Sequence, residues 1–258
     1  MRRAEERATA TTPVSMQRDV LTVAERLGQL RREAERIGPL ADVLVALPRR
    51  GRLYEIAQPD DTERLLDRAA ADPEQNLPYW AEIWPSGIAL ADEISCHRGD
   101  LRRQRVLELG SGIGVTAIAA LKAEAELTVA DYASESLILC RYNALRNTGR
   151  EPATIQINWR QPDQAAFAGT VGAFPVILAA DVLYETRDVE PLLALVGRLV
   201  TAGGLLWLAE PGRPVAARFL EAAREEGWEG PTEMHPGPWP DPKDDGVVVR
   251  LHKLRRAG

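Results

Sequence analysis

The sequence predicts a doubly wound, Rossmann-like α/β fold with a seven-strand sheet, mostly parallel with the last strand antiparallel. From residue 105 onward, short apolar segments rich in β-branched residues alternate with segments of helical periodicity. This alternation is typical of a parallel sheet covered by helices on both faces. Near the end, two strand-like segments, 228–234 and 247–254, are joined by a proline-rich link instead of a helix. Without a crossover helix these two segments must pair antiparallel or lie apart.

Four helices are predicted along the first five strands of the sheet, three of them between consecutive strands and one after the fifth. The strands are expected near 105–109, 127–131, 153–158, 175–180 and 203–209. The helices are expected near 115–123, 134–147, 188–201 and 213–226. A helix between consecutive strands is the usual crossover connection of a parallel sheet.

Residues 1–50 are predicted to form a tail and a helix in front of the main domain, residues 51–258. The polar and charged segment 1–13 is expected to be disordered. Between 14 and 37 apolar residues recur at helical spacing, and the following Gly-Pro pair ends this helix. We expect the helix to pack on the domain, and a helix for a partner or a dimer is the alternative. The segments that lead into the sheet are a short strand at 52–57 and helices at 60–71 and 88–94.

Composition and charge argue against several classes of function. The chain has 258 residues and a net charge of −6, which is unlike a general nucleic-acid binder. Cys96 and Cys140 are far apart and the three histidines are scattered, so the sequence assembles neither a disulfide framework nor a metal site. No segment approaches the length of a membrane span, and the first residues lack an apolar secretory segment. A cytoplasmic protein is therefore expected, and its oligomeric state stays open.

The turn after the first strand carries the strongest functional signal. Glu108 stands two residues before a G-x-G-x-G run. Asp131 ends the next strand, 21 residues after the first glycine, at the spacing where an acid binds the hydroxyls of a ribose. The residues of the run are Gly110, Ser111, Gly112 and Gly114. Together these features predict a site for a cofactor that contains adenosine.

The details of the turn favour S-adenosylmethionine over a nicotinamide dinucleotide. Nicotinamide sites usually space their glycines G-x-G-x-x-G, which differs from the run seen here. A carboxylate at Glu108 would repel a pyrophosphate but would attract an amino-acid ammonium. S-adenosylmethionine has that ammonium and has no phosphate, so it is the predicted cofactor.

Polar and aromatic residues end the other parallel strands, at the edge where such sheets bind ligands. Tyr132 follows the second strand, Trp159 follows the third, and the fourth ends at Ala180 and Asp181 with Tyr184 close behind. We expect Asp181 to face the substrate because it ends an apolar run at the cleft. Upstream, Trp80 and Trp84 flank a rigid turn at Pro85, where Trp84 is expected to cover the cofactor.

Several of these residues also have a purely structural interpretation. Trp84 is equally compatible with a place in the core, and Trp159 with a surface cap on the sheet. Asp181 is compatible with a cap on the following helix. Trp207 lies inside a predicted strand and is expected in the core, whereas Trp239 in the proline-rich link is either a loop anchor or a substrate contact.

Four segments, in this order, resemble the class I, seven-strand protein-lysine methyltransferases. They are residues 78–87, 108–114, 158–160 and 180–185. The resemblance is strongest to the electron-transfer-flavoprotein β-subunit lysine methyltransferases and to bacterial relatives that are labelled nicotinamide N-methylase-like. It implies that Trp84, residues 110–112, Asp131, Trp159 and Ala180 contact S-adenosylmethionine. It also implies that Asp181 and Tyr184 form a substrate-side Asp-x-x-Tyr motif.

The resemblance implies N-methylation of a lysine side chain on a protein. One alternative is a small-molecule N-methyltransferase for a nicotinamide-like amine or heterocycle, which needs a closed pocket with the link 229–246 as its candidate lid. The other is a non-catalytic, cofactor-binding interaction protein built around the helix at 14–37. The intact glycine run, Asp131 and Asp181 argue against an inactive site. Oxygen methylation is disfavoured, since no histidine is placed to deprotonate a hydroxyl.

Overall fold

The structure is a computed structural model that describes residues 21–70, 77–161, 167 and 170–256. The helices are α1 (Val23–Glu35), α2 (Thr62–Ala69), α3 (Pro85–Cys96), α4 (Val115–Lys122), α5 (Ser134–Thr148), α6 (Val189–Leu199) and α7 (Pro214–Glu225). The strands are β1 (Leu40–Ala46), β2 (Leu53–Pro59), β3 (Arg105–Leu109), β4 (Glu126–Asp131), β5 (Ala153–Gln156), β6 (Phe174–Ala180), β7 (Val200–Glu210), β8 (Trp228–Glu229), β9 (Thr232–His235) and β10 (Val249–Arg256). Within these residues no helix is both long and apolar enough to cross a membrane.

The predicted sheet is confirmed. Its strand order is β5-β4-β3-β6-β7-β10-β8, with β9 also paired to β10. The neighbours from β5 to β7 are parallel, and β10 is antiparallel to β7. The five parallel strands and their crossover helices end within three residues of the predicted bounds. The strand order reverses between β3 and β6, and this reversal opens a crevice at their carboxyl ends.

Helices cover both faces of the sheet. Val106 and Leu178 belong to a core shared with α3, α4 and α5, whereas their neighbours Leu107 and Ile177 belong to a second core shared with α6 and α7. Because successive side chains of a strand point to opposite faces, a strand covered on both sides needs apolar residues throughout. This explains the continuous apolar runs in the sequence.

The sixth predicted strand, 228–234, is interrupted. Its two halves, β8 and β9, both pair antiparallel with β10. Pro231 lies at the break and has no N–H to donate to a ladder, although its carbonyl accepts a hydrogen bond from the Lys253 N–H at 3.0 Å. A Cβ on Gly230 would lie 1.9 Å from the Lys253 carbonyl oxygen, so the close approach requires glycine here.

An antiparallel hairpin precedes the sheet, and the sequence analysis predicts only its second strand. The register of β1 and β2 runs from Leu40 opposite Pro59 to Ala46 opposite Leu53, so the boundary at 50/51 lies in the connecting turn. The buried Asn143 of α5 ties the hairpin to the domain. Its side chain accepts from the Ala57 N–H at 2.8 Å and donates to the Ala57 and Ile113 carbonyls at 2.9 and 2.8 Å.

The N-terminal helix packs on the domain, as expected. Leu30 of α1 is buried against Tyr142 and Leu145 of α5. Arg26 of α1 also pairs with Glu151, with 2.7 Å between Nε and Oε1. The beginning of the predicted helix, residues 14–20, and the predicted tail lie outside the described residues.

A buried ionic cluster beneath α3 anchors this helix, whose N-terminus enters the crevice. The Glu93 carboxylate is fully buried and pairs with Arg49 at 2.6 Å, His97 at 2.8 Å and the Lys253 ammonium. His235, Glu93 and Glu233 each offer one atom that could ligate a metal ion, and these three atoms lie within 4.8 Å of one another. The sequence analysis did not predict this group, because its members come from separate elements. Lys253 pairs with both acids and compensates their charge.

Candidate active site

A cleft lies at the carboxyl ends of β3, β4 and β6, and it consists of two cavities that share lining residues. The shared residues are Trp84, Gly110, Gly112 and Ala180. The first cavity is also lined by Asp131, Tyr132, Trp159, Asp181 and Tyr184. The second is also lined by Glu108, Ser111 and Gly114. Every residue that the sequence analysis assigns to the site therefore lines this cleft.

The glycine run is shaped for close contact. Gly110, Gly112 and Gly114 have φ angles of 70°, 50° and 94°, in the left-handed region that side chains rarely adopt. A Cβ on Gly110 would lie 2.5 Å from Cγ1 of Val182, so the loop leaves no space for a side chain there. The loop therefore presents bare backbone to the cleft.

Asp131 connects the glycine run to the end of β4. Its Oδ2 accepts from the Gly112 N–H at 3.0 Å, and its Oδ1 accepts from the Ala133 N–H at 3.1 Å. Burial raises the pKa of Asp131, and these backbone hydrogen bonds oppose the rise. The oriented carboxylate lines the first cavity, where it can accept hydrogen bonds from a ligand.

Glu108 is a buried carboxyl with an unsatisfied oxygen. Only 2% of the residue is exposed, and its Oε2 has no hydrogen-bond partner among the described residues. Burial, and then the charge of Asp131, raise the pKa of Glu108 well above its ordinary value. A buried polar atom without a partner is costly, and the cost is relieved when a cationic donor binds.

Replacing Glu108 with glutamine is expected to stabilise the ligand-free protein increasingly as pH rises. The raised pKa means that the folded wild type holds more protons than the unfolded chain above pH about 4.3, so its stability falls as pH rises toward the folded pKa. Glu108→Gln removes this loss. Melting temperatures between pH 5 and 8 measure the effect, and a difference that does not change with pH would contradict it.

Trp159 forms one wall of the cleft and is held by an acid that the sequence analysis missed. The fully buried Asp188 accepts from Trp159 Nε1 at 2.9 Å and from Arg160 Nε at 2.7 Å. The indole is thereby fixed beside Gly110, where a Cβ would lie 3.9 Å from its Cη2 atom. Arg160 also lines the first cavity. Arg160 directly follows Trp159 in the sequence, and this position could have identified it as a residue of the site.

Asp181 lines the first cavity and has an unusual backbone conformation. Its φ angle is 58°, in the left-handed region that is uncommon for residues other than glycine. Its Oδ1 pairs with Arg213 Nη1 at 2.5 Å, and its Oδ2 accepts from Ser86 Oγ at 3.2 Å. The helix-cap interpretation of Asp181 is wrong. A short 3₁₀ turn, Thr186–Asp188, follows it with Glu185 at the cap position, and Asp188 occupies the cap position of α6.

Aromatic side chains line the cleft next to Asp181. The Tyr79 ring lies edge-on to both Tyr184 and Trp84, with centroids 5.2 and 6.0 Å apart. Trp84 Nε1 donates to the Tyr79 carbonyl at 2.8 Å, which fixes Trp84 as a wall of the cleft. Burial raises the pKa of Tyr184, which keeps its hydroxyl neutral. Tyr79 was missed, although it directly precedes Trp80 in a segment of the family resemblance.

Two further tryptophans, Trp207 and Trp239, stabilise the fold. Trp207 is buried in the core, as expected. Trp239 is the loop anchor of the two alternatives, because its indole is buried and donates to the Val247 carbonyl at 2.8 Å. No residue of the link 229–246 lines either cavity of the cleft. The link instead meets the cleft margin through Lys243, whose ammonium lies 3.0 Å from Glu82 Oε2.

Comparison with known proteins identifies the family. Residues 74–225, a segment that includes the whole cleft described above, match the family described as lysine methyltransferase. The chain belongs to this family. The match does not cover the elements before residue 74 or after residue 225. These elements are α1, the β1–β2 hairpin, α2, β8, β9 and β10.

The names of two curated relatives of this lysine methyltransferase family member specify different target residues, arginine and lysine. The histone-arginine methyltransferase METTL23 of Xenopus laevis is 29% identical over 149 residues, which cover 56% of this chain and 62% of that protein. The electron transfer flavoprotein beta subunit lysine methyltransferase of Mus musculus is 32% identical over 143 residues, covering 53% and 52%. The chain thus spans about half to two thirds of the length of these relatives.

Solved structures share the fold at low sequence identity. A putative RNA methyltransferase, PH1948 from Pyrococcus horikoshii, has a TM-score of 0.53 at 15% identity and covers 76% of this chain and 98% of its own. The magnesium protoporphyrin IX methyltransferase of Synechocystis PCC 6803, solved with S-adenosylmethionine, has a TM-score of 0.52 at 15% identity, covering 77% and 98%. These likenesses support the sheet topology described above.

Proposed function

We propose that the protein is an S-adenosylmethionine-dependent methyltransferase that N-methylates a lysine side chain of a protein. The observation that carries the proposal is the arrangement of the cleft, whose two cavities share four lining residues. Glu108 and Asp131 line the cleft together with the glycine run. Asp181 and Tyr184, which follow β6, line it together with aromatic rings. The family match covers all of these residues.

The polar groups of the cleft fit S-adenosylmethionine. The unsatisfied Oε2 of Glu108 suits the ammonium of its amino-acid part. Asp131 is oriented by two backbone N–H groups and can accept bonds from ribose hydroxyls. The diphosphate of a nicotinamide dinucleotide has no cationic donor for the unsatisfied Oε2 of Glu108, so this residue disfavours that cofactor.

When bound, S-adenosylmethionine supplies a methyl group on a sulfonium, which an amine can attack. The residues of the chain must bind the amine, orient it and favour its neutral form, since a free lysine has a pKa of about 10.4. Burial among Tyr79, Trp84 and Tyr184 disfavours the charged ammonium. Asp181 lines the same cavity and can accept an N–H bond that orients the amine.

The surroundings of the cleft favour an amine on a protein over other acceptors. None of the three histidines lines either cavity, which disfavours a hydroxyl acceptor because a hydroxyl needs a base. The link 229–246 does not cover the cleft, so the closed pocket expected for a small-molecule enzyme lacks its candidate lid. The curated relatives carry names of protein methyltransferases. Positioning of the two reactants accounts for much of the acceleration in such a displacement.

Incubation of the protein with tritiated S-adenosylmethionine and a cell lysate tests the proposed acceptor. We expect label in protein that survives alkali and that elutes as methyllysine after acid hydrolysis. Asp181→Asn is the matched control, because it retains the shape of the side chain while it removes the charge. Label confined to low-mass material would overturn the protein acceptor, and label in methylarginine would overturn the choice of lysine.

A further inference from the structure

Arg213 joins the substrate-side acid to the aromatic wall of the cleft. It directly precedes α7 and is one of the residues that the sequence analysis did not predict. Its Nη1 lies 2.5 Å from Asp181 Oδ1, and its guanidinium carbon lies 5.8 Å from the centre of the Trp84 ring. Trp84 in turn bonds to Tyr79. One guanidinium therefore contacts both an acid and a ring that line the first cavity.

The charges that face Asp181 come from three elements. Arg213 approaches from the start of α7 and Ser86 from the first turn of α3, and both stabilise the ionised carboxylate. Glu210, at the end of β7, opposes ionisation. Burial opposes it most strongly and raises the pKa of Asp181 above its ordinary value. Arg213 is the one cation among these groups, so substituting it removes the positive charge that favours the ionised form of Asp181.

We propose that Arg213 is a positioning residue of the acceptor site, which holds Asp181 charged and in one orientation. Its guanidinium forms an ion pair at Oδ1, an oxygen that has no hydrogen-bond partner among the described residues, and the Ser86 hydroxyl donates to Oδ2. The carboxylate is thereby fixed from two sides, and its negative charge is balanced by the guanidinium. Contact with the Trp84 ring limits the positions open to Arg213 itself.

This arrangement defines what kind of acceptor the site favours, an inference that rests on the proposed function. A carboxylate already paired with a guanidinium attracts a second cation weakly. A nearby guanidinium also disfavours the charged form of an amine that enters the cleft. The acceptor site is therefore suited to a neutral amine, whose N–H group can donate to Asp181 while its lone pair stays free.

Carbon-13 NMR of the Asp181 side-chain carboxyl tests the proposal without the reaction. The protein is labelled at aspartate Cγ, and Asp181→Asn assigns the signal. We expect Arg213→Gln to move the titration of Asp181 to higher pH than in the wild type, and Arg213→Lys to restore part of the difference. Arg218→Gln, which removes the same charge from an exposed position of α7, is the control and should leave the titration in place.

A pH profile of methyl transfer provides the second measurement. In Arg213→Gln the acid limb of kcat/KM should move to higher pH, whereas a merely structural role would lower the rate equally at every pH. An unchanged Asp181 titration in a variant that retains its melting temperature would overturn the inference. A shifted titration in a protein that transfers no methyl group would overturn the proposed function and leave the effect of Arg213 on Asp181 intact.

Discussion

Asp131→Ala is expected to bind S-adenosylmethionine roughly 10- to 150-fold more weakly than the wild type. The substitution removes the carboxylate that we assign to the ribose hydroxyls, a loss of about 1.5–3 kcal/mol when the hydrogen bonds are charge-assisted. It also frees the Gly112 and Ala133 N–H groups that the carboxylate now binds. The variant therefore loses both a ligand contact and a support of the glycine run. Calorimetric titration gives the affinity.

A second substitution separates these two effects. Asp131→Asn retains one side-chain oxygen and the shape of the residue, so it should preserve more of the loop and lose less affinity than Asp131→Ala. Melting temperatures of both variants report any loss of the fold. If Asp131→Ala binds the cofactor with wild-type affinity, the assignment of Asp131 to the ribose is wrong.

Asp181→Asn is expected to lower methyl transfer at least about tenfold, which corresponds to ~1.4 kcal/mol in the activation free energy. Asparagine tolerates the left-handed backbone of this position, where φ is 58°, and its amide can keep the bond from Ser86. What it loses is the charge that pairs with Arg213. Single-turnover kinetics at saturating cofactor measure the chemical step separately from cofactor binding.

The cofactor affinity and the melting temperature of Asp181→Asn are the controls. Both should remain close to wild type, because asparagine keeps the shape of the side chain and the bond from Ser86, and because the Arg213 side chain is 31% exposed and stays in contact with water. A variant that melts much earlier, yet turns over normally per folded molecule, would assign Asp181 to the fold instead of to the acceptor.

Local sequence patterns were sufficient to predict the sheet and the residues of the glycine run that line the cleft. The apolar runs of β3 and β6 follow from burial on two faces, and the positive φ angles at Gly110 and Gly112 require glycine at fixed positions. Such constraints act within a few residues. They therefore appear directly in the sequence as runs, spacings and residue types.

Those local patterns could not predict contacts between segments that are distant in the sequence. Arg213 meets Asp181 only because the ends of β6 and β7 are neighbours in the sheet. Asp188 fixes Trp159 across 29 positions of sequence. In the same way, β1 was missed because the Gly-Pro pair at 38–39 is a helix stop but gives no sign of the strand that follows it. Predicting these pairs requires the topology first.

Equilibrium titration of the wild-type protein with S-adenosylhomocysteine is the most direct test of the assigned cleft. This demethylated product retains the ammonium and the ribose hydroxyls that we assign to Glu108 and Asp131, and it undergoes no reaction. We expect saturable binding of one molecule per chain, weakened by Asp131→Ala, and no comparable binding of NAD. Absence of binding by S-adenosylhomocysteine, or tighter binding of NAD to the same site, would contradict the proposed function.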